Sequence, residues 1–355
     1  MNDGGRIDLP ARPRILVVSL RRLGDVLLTT PLIRSLRAAW PDAWIDALVF
    51  ADTAGILEGN PDLDGVVAMP VHSSGARGLS LAARLWRKYD LAISTQTGDR
   101  PTFFAVAAGR VRIAPVDQTF NGRLKRAWLQ RSVPFAERAH RVEQILRLAD
   151  AMGIARVPQL VVPRPRAFAG MPAGDYAVIH AAPVFRYKQW TMAGWRAVAA
   201  ALAARGLGVI ATGGPAEAER RYLDVVWAGV DVTRLDGGLD WPQLAGLLSK
   251  ARVYVGPDTS VTHLAAAAGC ATVAIYGPDR SAAVGAVARG QSGVRLGSCR
   301  LAPASRQCLA GAKPVAVHAV PARRLRAPAR QRQRVPRRPG AAAGYCRSGS
   351  GAWVN

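Results

Sequence analysis

"RILVVSLRRLGDVLLTTPLIRSLRAAWPDAWIDALVF", residues 14–50, contains the pattern that decides the fold class of this chain. The run Ile15–Ser19 is dominated by Val, Ile and Leu and predicts a buried strand. From Asp25 onward, apolar side chains recur every three to four residues, which predicts an amphipathic helix. Residues 43–50 predict a second strand. This strand–helix–strand order is typical of a parallel sheet covered by helices.

The same alternation continues along the chain and restarts after a proline-rich stretch at residues 156–175, which indicates an interdomain linker. Further elements predicted before the linker are strands at 65–70 and 91–96 and helices at 78–89, 100–109 and 138–154. Those predicted after it are strands at 176–180, 207–212, 253–256 and 272–277 and helices at 191–206, 215–229, 240–250 and 259–269. Two such sheets leave a cleft between them, and ligands bind at the carboxyl ends of parallel strands.

We therefore expect an α/β protein with two Rossmann-like domains. The predicted parts are a flexible N-terminus (1–12), an N-terminal domain (13–155), the linker (156–175), a truncated C-terminal domain (176–279) and a basic low-complexity tail (280–355).

The net charge of +24 suggests a nucleic-acid-binding protein, but its distribution argues against one. The 76 residues from Arg280 onward hold 15 of the 48 Lys and Arg and none of the 24 Asp and Glu, which leaves the rest of the chain at +9. A moderately basic body is expected of a protein that handles phosphorylated ligands.

The apolar stretches and the cysteines of the sequence indicate which compartment and which kinds of site to expect. The longest apolar stretch near a motif, Leu264–Tyr276, is 13 residues long and too short to cross a bilayer. The N-terminus lacks the apolar region of a signal peptide, so we expect a cytoplasmic protein. None of the four cysteines forms a CxxC pair, so neither a zinc site nor a disulfide framework is predicted.

Asp25 stands where the first predicted strand turns into the first helix. Asp is a favoured helix N-cap, because its carboxylate accepts hydrogen bonds from the free N–H groups of the first turn. The same position faces the predicted cleft, where a carboxylate can act as a general base. The two interpretations are compatible, and the residues alone leave both open.

Two further candidate sites follow strands of the second half. "HAAPVFRYKQW", residues 180–190, places Arg186 and Lys188 at the cleft, where a Lys can neutralise a diphosphate; the alternative is a solvated basic loop. "ATGGPAEAE", residues 211–219, places glycines at a strand end. Glu217 beside them either binds ribose hydroxyls or interacts only with the helix dipole.

"VGPDTSVTHLAAAAG", residues 255–269, has three cap-type residues at a helix start, Asp258, Thr259 and Ser260. Backbone N–H groups at such an end bind phosphate. His263 lies one turn further on the same side, although a His in an Ala-rich helix is also a common packed residue. The chain has neither GxGxxG nor GxxxxGK[ST], which argues against an NAD enzyme and a P-loop NTPase.

In this order the motifs resemble the glycosyltransferase family of the ADP-heptose:lipopolysaccharide heptosyltransferases. That family begins with a strand, a Gly-Asp pair and a "TTP"-type helix, here "LRRLGDVLLTTP" (20–31). Its second half has a D-[ST]-G-x-x-H-type motif, an Ala-rich helix and "V-x-YGP", here "GPDTSVTHLAAAAGCATVAIYGP" (256–278). "FADTAGILEGNPDLDGV" (50–66) looks most like the heptosyltransferase III branch. The resemblance runs from about residue 13 to Pro278.

The resemblance implies a GT-B fold and an inverting, metal-independent reaction with no cofactor besides the ADP-heptose substrate. It also implies that the N-terminal domain binds the acceptor, a lipopolysaccharide inner core at the inner membrane surface, and that the chain is peripheral to that membrane. The implied roles are general base for Asp25, diphosphate stabilisation for Lys188, ribose binding for Glu217, ADP binding for Asp258, Thr259, Ser260 and His263, and acceptor binding for Arg22. Ser260 replaces the Gly that is frequent in the family.

The tail from Arg280 onward departs from the family pattern and is dominated by Ala, Arg, Pro and Gly. One interpretation is a disordered basic tail that binds anions. The other is a frameshift in a GC-rich gene. Residues 283–289, "AVGAVAR", can be written in codons that read Arg-Trp-Ala-Pro-Trp-Pro one base later, which resembles the family's segment at this point.

Three alternatives to an active heptosyltransferase follow. The chain could be an inactive frameshifted copy of such an enzyme, a nucleotide-sugar epimerase of the same fold, or a basic anion-binding protein that acts through its tail. An epimerase needs further acids and a His around the sugar, for which the sequence offers no candidates.

Overall fold

The computed structural model describes residues 5–72, 75–136 and 139–276. The predictions for the basic tail (280–355) lie outside these residues, whereas residues 5–12 of the predicted N-terminus lie within them, and the Ile7 N–H donates to the Met152 carbonyl at 3.0 Å. The strands of the first half are β1 (Arg14–Ser19), β2 (Trp44–Phe50), β3 (Gly65–Met69), β4 (Tyr89–Ser94), β5 (Gly109–Val116) and β6 (Arg131–Pro134). Its helices are α1 (Leu23–Leu27), α2 (Thr30–Ala39), α3 (Gly75–Leu85), α4 (Asp99–Ala108), α5 (Phe120–Arg126) and α6 (Arg141–Ala151), with a 3₁₀ segment at Ala51–Leu57.

The second half repeats the arrangement. Its strands are β7 (Tyr176–His180), β8 (Gly208–Gly213), β9 (Thr233–Asp236), β10 (Val253–Pro257) and β11 (Thr272–Ile275). Its helices are α7 (Met192–Ala203), α8 (Glu217–Trp227), α9 (Trp241–Lys250) and α10 (Ser260–Ala267), with a 3₁₀ turn at Arg186–Lys188.

Two parallel sheets organise the described residues, as the alternation predicted. The first has the strand order β3-β2-β1-β4-β5-β6 and the second β11-β10-β7-β8-β9. Every strand pair is parallel; Ile15, for example, is in register with Ile45 on one side and Leu91 on the other. Parallel strands with helical crossovers place all carboxyl ends at one edge of each sheet, where the candidate residues lie.

The helix predicted to run from Asp25 to Trp40 is in fact two helices, α1 and α2. Pro31 lies in the first turn of α2 and cannot donate the N–H that a continuous helix requires at that point. The Thr29 hydroxyl donates to the Asp25 carbonyl (2.9 Å) and the Thr30 hydroxyl to the Leu27 carbonyl (2.8 Å), so both satisfy carbonyls at the end of α1. Asp25 therefore lies in a short helix of its own.

Three strands, β5, β6 and β9, were missed by the sequence analysis. Of these, β6 and β9 each lie at one edge of their sheet. Their sequences, "RSVP" and "TRLD", are only four residues long and contain charged residues. Short, charged outer strands are common because they resist pairing with other chains. The absence of an apolar run hides them from a periodicity search.

The two halves share one apolar cluster. Val26 and Ile56 of the first half and Leu247, Tyr254 and Leu264 of the second are almost fully buried within it. The contact between the halves thus has the character of a protein core, and burial of these side chains stabilises it by roughly 1.5–3 kcal/mol each.

The predicted linker contains no helix or strand between residues 156 and 175, all of which the structure describes. Its backbone N–H groups donate to both halves: Val161 to the Thr30 hydroxyl (3.0 Å), Arg164 to the Glu58 carbonyl (2.9 Å) and Arg166 to the Pro242 carbonyl (3.0 Å). The domain limits remain predictions. None of the helices in the described part of the chain is long and apolar enough to cross a bilayer.

Candidate active site between the two halves

The two motifs that the sequence analysis singled out meet in space. Gly24 lies in α1, the helix that follows β1, and packs on the start of α10, which follows β10. A Cβ on Gly24 would lie 3.5 Å from the Ser260 Cβ and 3.6 Å from the His263 Cδ2. The Gly-Asp turn of the first half and the Asp-Thr-Ser-x-x-His motif of the second therefore form one site.

Two arginines hold the Asp25 carboxylate. Arg21 Nε donates to Oδ2 at 2.9 Å, and Arg141 Nε lies 3.4 Å from Oδ1. The Asp25 side chain is 20% exposed, so part of the carboxylate is accessible to a ligand. The N-cap interpretation is wrong: Arg22 occupies the N-cap of α1, and Asp25 is the third residue of the helix.

Arg141 is the functional candidate that the sequence analysis missed. It begins α6, its Nη2 donates to the Thr95 carbonyl at 2.9 Å, and only 16% of its side chain is exposed. Burial lowers the pKa of the Arg141 guanidinium, while the neighbouring Asp25 opposes this shift. One feature of the sequence could have indicated Arg141. It is a cation in the first turn of a predicted helix, where the helix dipole favours an acidic residue.

Lys188 and Asp258 form an ion pair on the other side of the site. The Lys188 Nζ lies 2.6 Å from Asp258 Oδ2 and 2.8 Å from the Asp258 carbonyl oxygen. Both side chains are about four-fifths buried. The 3₁₀ turn after β7 is thus tied to the loop before α10, and the alternative interpretation, a solvated basic loop, does not hold for Lys188.

His263 lies beside this pair, with Nε2 3.9 Å from Asp258 Oδ1. Burial lowers the pKa of His263, and the neighbouring Asp258 and Asp25 carboxylates only partly offset the effect. Thr259 is the N-cap of α10, but its side chain makes no capping hydrogen bond. The first N–H groups of α10, beginning with Ser260, are therefore not satisfied by a side-chain cap.

Glu217 is more peripheral than the other predicted residues. It is the first residue of α8, is 75% exposed and pairs with Arg221 at 3.4 Å. Two residues later, Glu219 Oε1 accepts a hydrogen bond from the Gly214 N–H at 2.6 Å, and burial raises the pKa of the Glu219 carboxyl. Glu219 is therefore the acid in contact with the glycine loop, and the role of Glu217 remains a prediction.

Arg22 reaches across to the second half. Its guanidinium lies 4.6 Å from the centre of the Phe185 ring, and Phe185 in turn stacks on Tyr187 with 5.3 Å between ring centres. A cation over an aromatic face is an attractive contact. The contact connects the Gly-Asp turn to the loop that carries Lys188, at the edge of the site.

Known proteins resemble this chain in sequence and in overall fold. The lipopolysaccharide heptosyltransferase 3 of Escherichia coli is 28% identical over 284 residues, which are 73% of this chain and 82% of that protein. The lipopolysaccharide heptosyltransferase 1 of Pseudomonas aeruginosa is 28% identical over 314 residues, 80% and 84% of the two chains. A solved structure of the E. coli heptosyltransferase WaaC with ADP-2-deoxy-2-fluoro heptose superposes with a TM-score of 0.63 at 25% identity, covering 75% of this chain and 89% of that one.

The family model for glycosyltransferase family 9 (heptosyltransferase) matches residues 79–313. The match extends past Pro278, so the end of the resemblance that the sequence analysis placed there was set too early. Because it covers more than half of the chain, and the two parallel sheets match GT-B heptosyltransferase structures, this chain is a glycosyltransferase that belongs to family 9, the heptosyltransferase family.

Proposed function

We propose that this chain transfers a heptose from ADP-heptose to the inner core of lipopolysaccharide, with inversion at the anomeric carbon and Asp25 as the general base. The observation that carries the proposal is the contact of Gly24 with Ser260 and His263, which sets the Asp25 carboxylate beside the donor-side motif. The names of the relatives, and the ADP-heptose analogue bound to a related structure, support this choice of donor and acceptor.

In the proposed reaction, Asp25 accepts the proton of an acceptor hydroxyl while that oxygen attacks the anomeric carbon of the donor. The bond from the anomeric carbon to the diphosphate oxygen breaks, and ADP leaves with the electron pair. Arg21 and Arg141 orient the carboxylate. A rigidly held base within reach of the attacking oxygen gives most of its benefit through positioning.

Donor binding is proposed for the residues around the start of α10. The Lys188 ammonium and the N–H groups that begin α10 together provide positive potential for a diphosphate. Charge that develops on the departing ADP is stabilised by the same groups. Asp258 holds Lys188 in place and is assigned to ADP binding with Thr259, Ser260 and His263. Glu217 is retained as the candidate for the ribose.

The acceptor is proposed to bind the first half, next to Asp25, with Arg22 as a contact. Its lipid part would remain in the inner membrane, so the enzyme would work at that membrane's cytoplasmic surface.

The test is ADP release from ADP-heptose with a heptose-bearing core acceptor, together with the mass of the product. We expect Asp25→Asn to lower turnover by about 10²–10⁴-fold while leaving ADP affinity within about twofold. Asp231→Asn, at an exposed carboxylate outside the site, is the matched control. Equal loss of turnover and ADP affinity in Asp25→Asn would contradict a chemical role for Asp25.

The same assay distinguishes the alternatives. ADP binding by the native chain without turnover on any core acceptor would favour the inactive frameshifted copy, and the gene sequence would then be read in the other two frames. Conversion of a nucleotide sugar without acceptor would favour the epimerase. Activity that depends on residues 280–355 but not on Asp25 would favour the anion-binding protein.

A further inference from the structure

Helix α5 turns large apolar side chains toward solvent. Phe120 is 70% exposed, Leu124 54% and Trp128, in the turn that follows, 63%. Phe120 and Leu124 are four residues apart in α5 and so lie on one side of the helix, and Trp128 follows two residues after the helix ends. The buried residue of this helix is Gly122, which lies against Asp117 of the preceding loop. We call these three apolar side chains, together with Arg123 and Arg126, the α5 surface.

The α5 surface contains two exposed cations. These are Arg123 and Arg126, and no carboxylate in the described ranges pairs with either of them. Lys125, by contrast, is tied to the body through the Asp99 carboxylate at 2.6 Å. Apolar side chains flanked by arginines are the arrangement of helices that lie in a membrane interface, and Trp is favoured at that depth.

The α5 surface lies on the same sheet edge as the candidate active site. Strand β5 leads into α5 and β1 leads into α1, and the two strands flank β4, so their ends are roughly 10 Å apart. The loop after β4 connects them: Lys125 Nζ donates to the Thr97 carbonyl (2.6 Å), and Arg141 Nη2 donates to the Thr95 carbonyl (2.9 Å). Arg141 is the residue that pairs with Asp25.

We propose that the α5 surface docks this chain on an anionic lipid bilayer. Arg123 and Arg126 would pair with lipid phosphates. Phe120, Leu124 and Trp128 would insert at the boundary between the headgroups and the acyl chains. A second copy of the chain is less favoured as the partner of this surface. In a symmetric dimer the arginines of the two copies would face each other, and their like charges would repel. The docking does not depend on the proposed reaction. We add, resting on that reaction, that the docked chain presents a lipid-linked acceptor to Asp25.

The first experiment is co-sedimentation of the full chain with vesicles of phosphatidylcholine containing 30% phosphatidylglycerol, compared with pure phosphatidylcholine. We expect the double variant Leu124→Ser, Arg123→Gln to reduce partition onto the anionic vesicles on the order of tenfold. The matched control is Val225→Ser, Arg220→Gln on α8, which also removes a half-exposed aliphatic side chain and an exposed arginine. The control should bind within about twofold of the native chain.

All variants keep the arginines of the tail, which would also attract anionic vesicles. The second experiment therefore tests whether the α5 surface itself enters the bilayer. Brominated acyl chains quench the emission of any tryptophan that enters the bilayer. Because the chain has nine tryptophans, the difference between the native chain and Trp128→Phe reports on Trp128. We expect Trp128→Phe, which keeps an apolar ring, to retain vesicle binding and to lose a large part of the quenching. Equal quenching in Trp128→Phe and the native chain, or equal partition of the native chain and the α5 double variant, would overturn the proposal.

Both measurements use neither donor nor acceptor, so they are independent of the proposed reaction. Failure of transfer with intact vesicle docking would count against the reaction alone. A concentration-dependent dimer in light scattering that the α5 double variant abolishes would instead identify a second copy as the occupant and reject the bilayer.

Discussion

Lys188 Nζ lies 2.6 Å from Asp258 Oδ2, and this ion pair ties the turn after β7 to the loop before α10. These are the two sequence motifs for which we propose donor binding. Asp258 fixes the position of the ammonium before any donor arrives, so binding does not have to order a long, flexible side chain. Arrangement of charge before the reaction is the main source of electrostatic stabilisation in enzyme sites.

Replacing Lys188 with Met removes the charge and leaves Asp258 buried without its partner. We expect turnover to fall by about 10²–10³-fold, because the departing diphosphate loses a cation. The check is steady-state kinetics with ADP-heptose, with Lys250→Met in the last turn of α9 as a control that keeps native rates. Native turnover in Lys188→Met would exclude Lys188 from leaving-group stabilisation.

Replacing Arg141 with Gln tests whether this buried guanidinium positions Asp25. We expect kcat to fall by about 10–100-fold with the KM for the donor nearly unchanged, since Arg141 contacts the base and not the donor motif. Arg141→Lys keeps the charge without the forked geometry and should restore only part of the activity. If both variants melt at lower temperature than the native chain, and if kcat falls in proportion to that loss of thermal stability, the role of Arg141 is purely structural.

The burial of His180 is expected to make the stability of the protein dependent on pH. Burial lowers the pKa of His180 to about 4, whereas an unfolded chain has its histidines near about 6.5. Between these values the unfolded state binds more protons, so the free energy of unfolding falls as the pH falls. We expect His180 to account for a loss of about 2 kcal/mol between pH 7 and pH 5.

Urea unfolding at pH 7, 6 and 5 measures this loss. His180→Gln should reduce the dependence on pH, while His72→Gln, at an exposed position, should leave it unchanged. A native chain whose stability does not change over this range would contradict the burial of a neutral His180.

Glu217 and Glu219 should respond differently to substitution. Glu219 accepts the Gly214 N–H in a half-buried position, so Glu219→Ala, which removes the acceptor, should lower the free energy of unfolding by about 1–2 kcal/mol. Glu217→Gln should change it by less than about 0.5 kcal/mol, since its ion pair is exposed, and should instead raise the KM for the donor about tenfold. Thermal melts and donor kinetics on both variants check this, and an unchanged KM in Glu217→Gln would remove Glu217 from the ribose site.

Much of the fold and of the site could be predicted from local pattern. Apolar runs such as Ile15–Ser19, followed by helical spacing, determine the order of strands and helices. Asp25, Lys188 and Asp258 could be selected as candidates because each follows a strand, and carboxyl ends of parallel strands meet at one edge. The break at Pro31 was present in the sequence too, but its effect was outweighed by the periodicity around it.

Other features depended on contacts between segments that are far apart in the chain. That Arg141 pairs with Asp25, that Glu219 reaches the glycine loop where Glu217 does not, and that α5 faces solvent are all decided by how the elements pack. The sequence by itself determined which side chains stand at strand ends, because backbone geometry and apolar periodicity are local. Only the tertiary structure decided which of them meet, because ion pairing and burial depend on the surroundings that the whole fold creates.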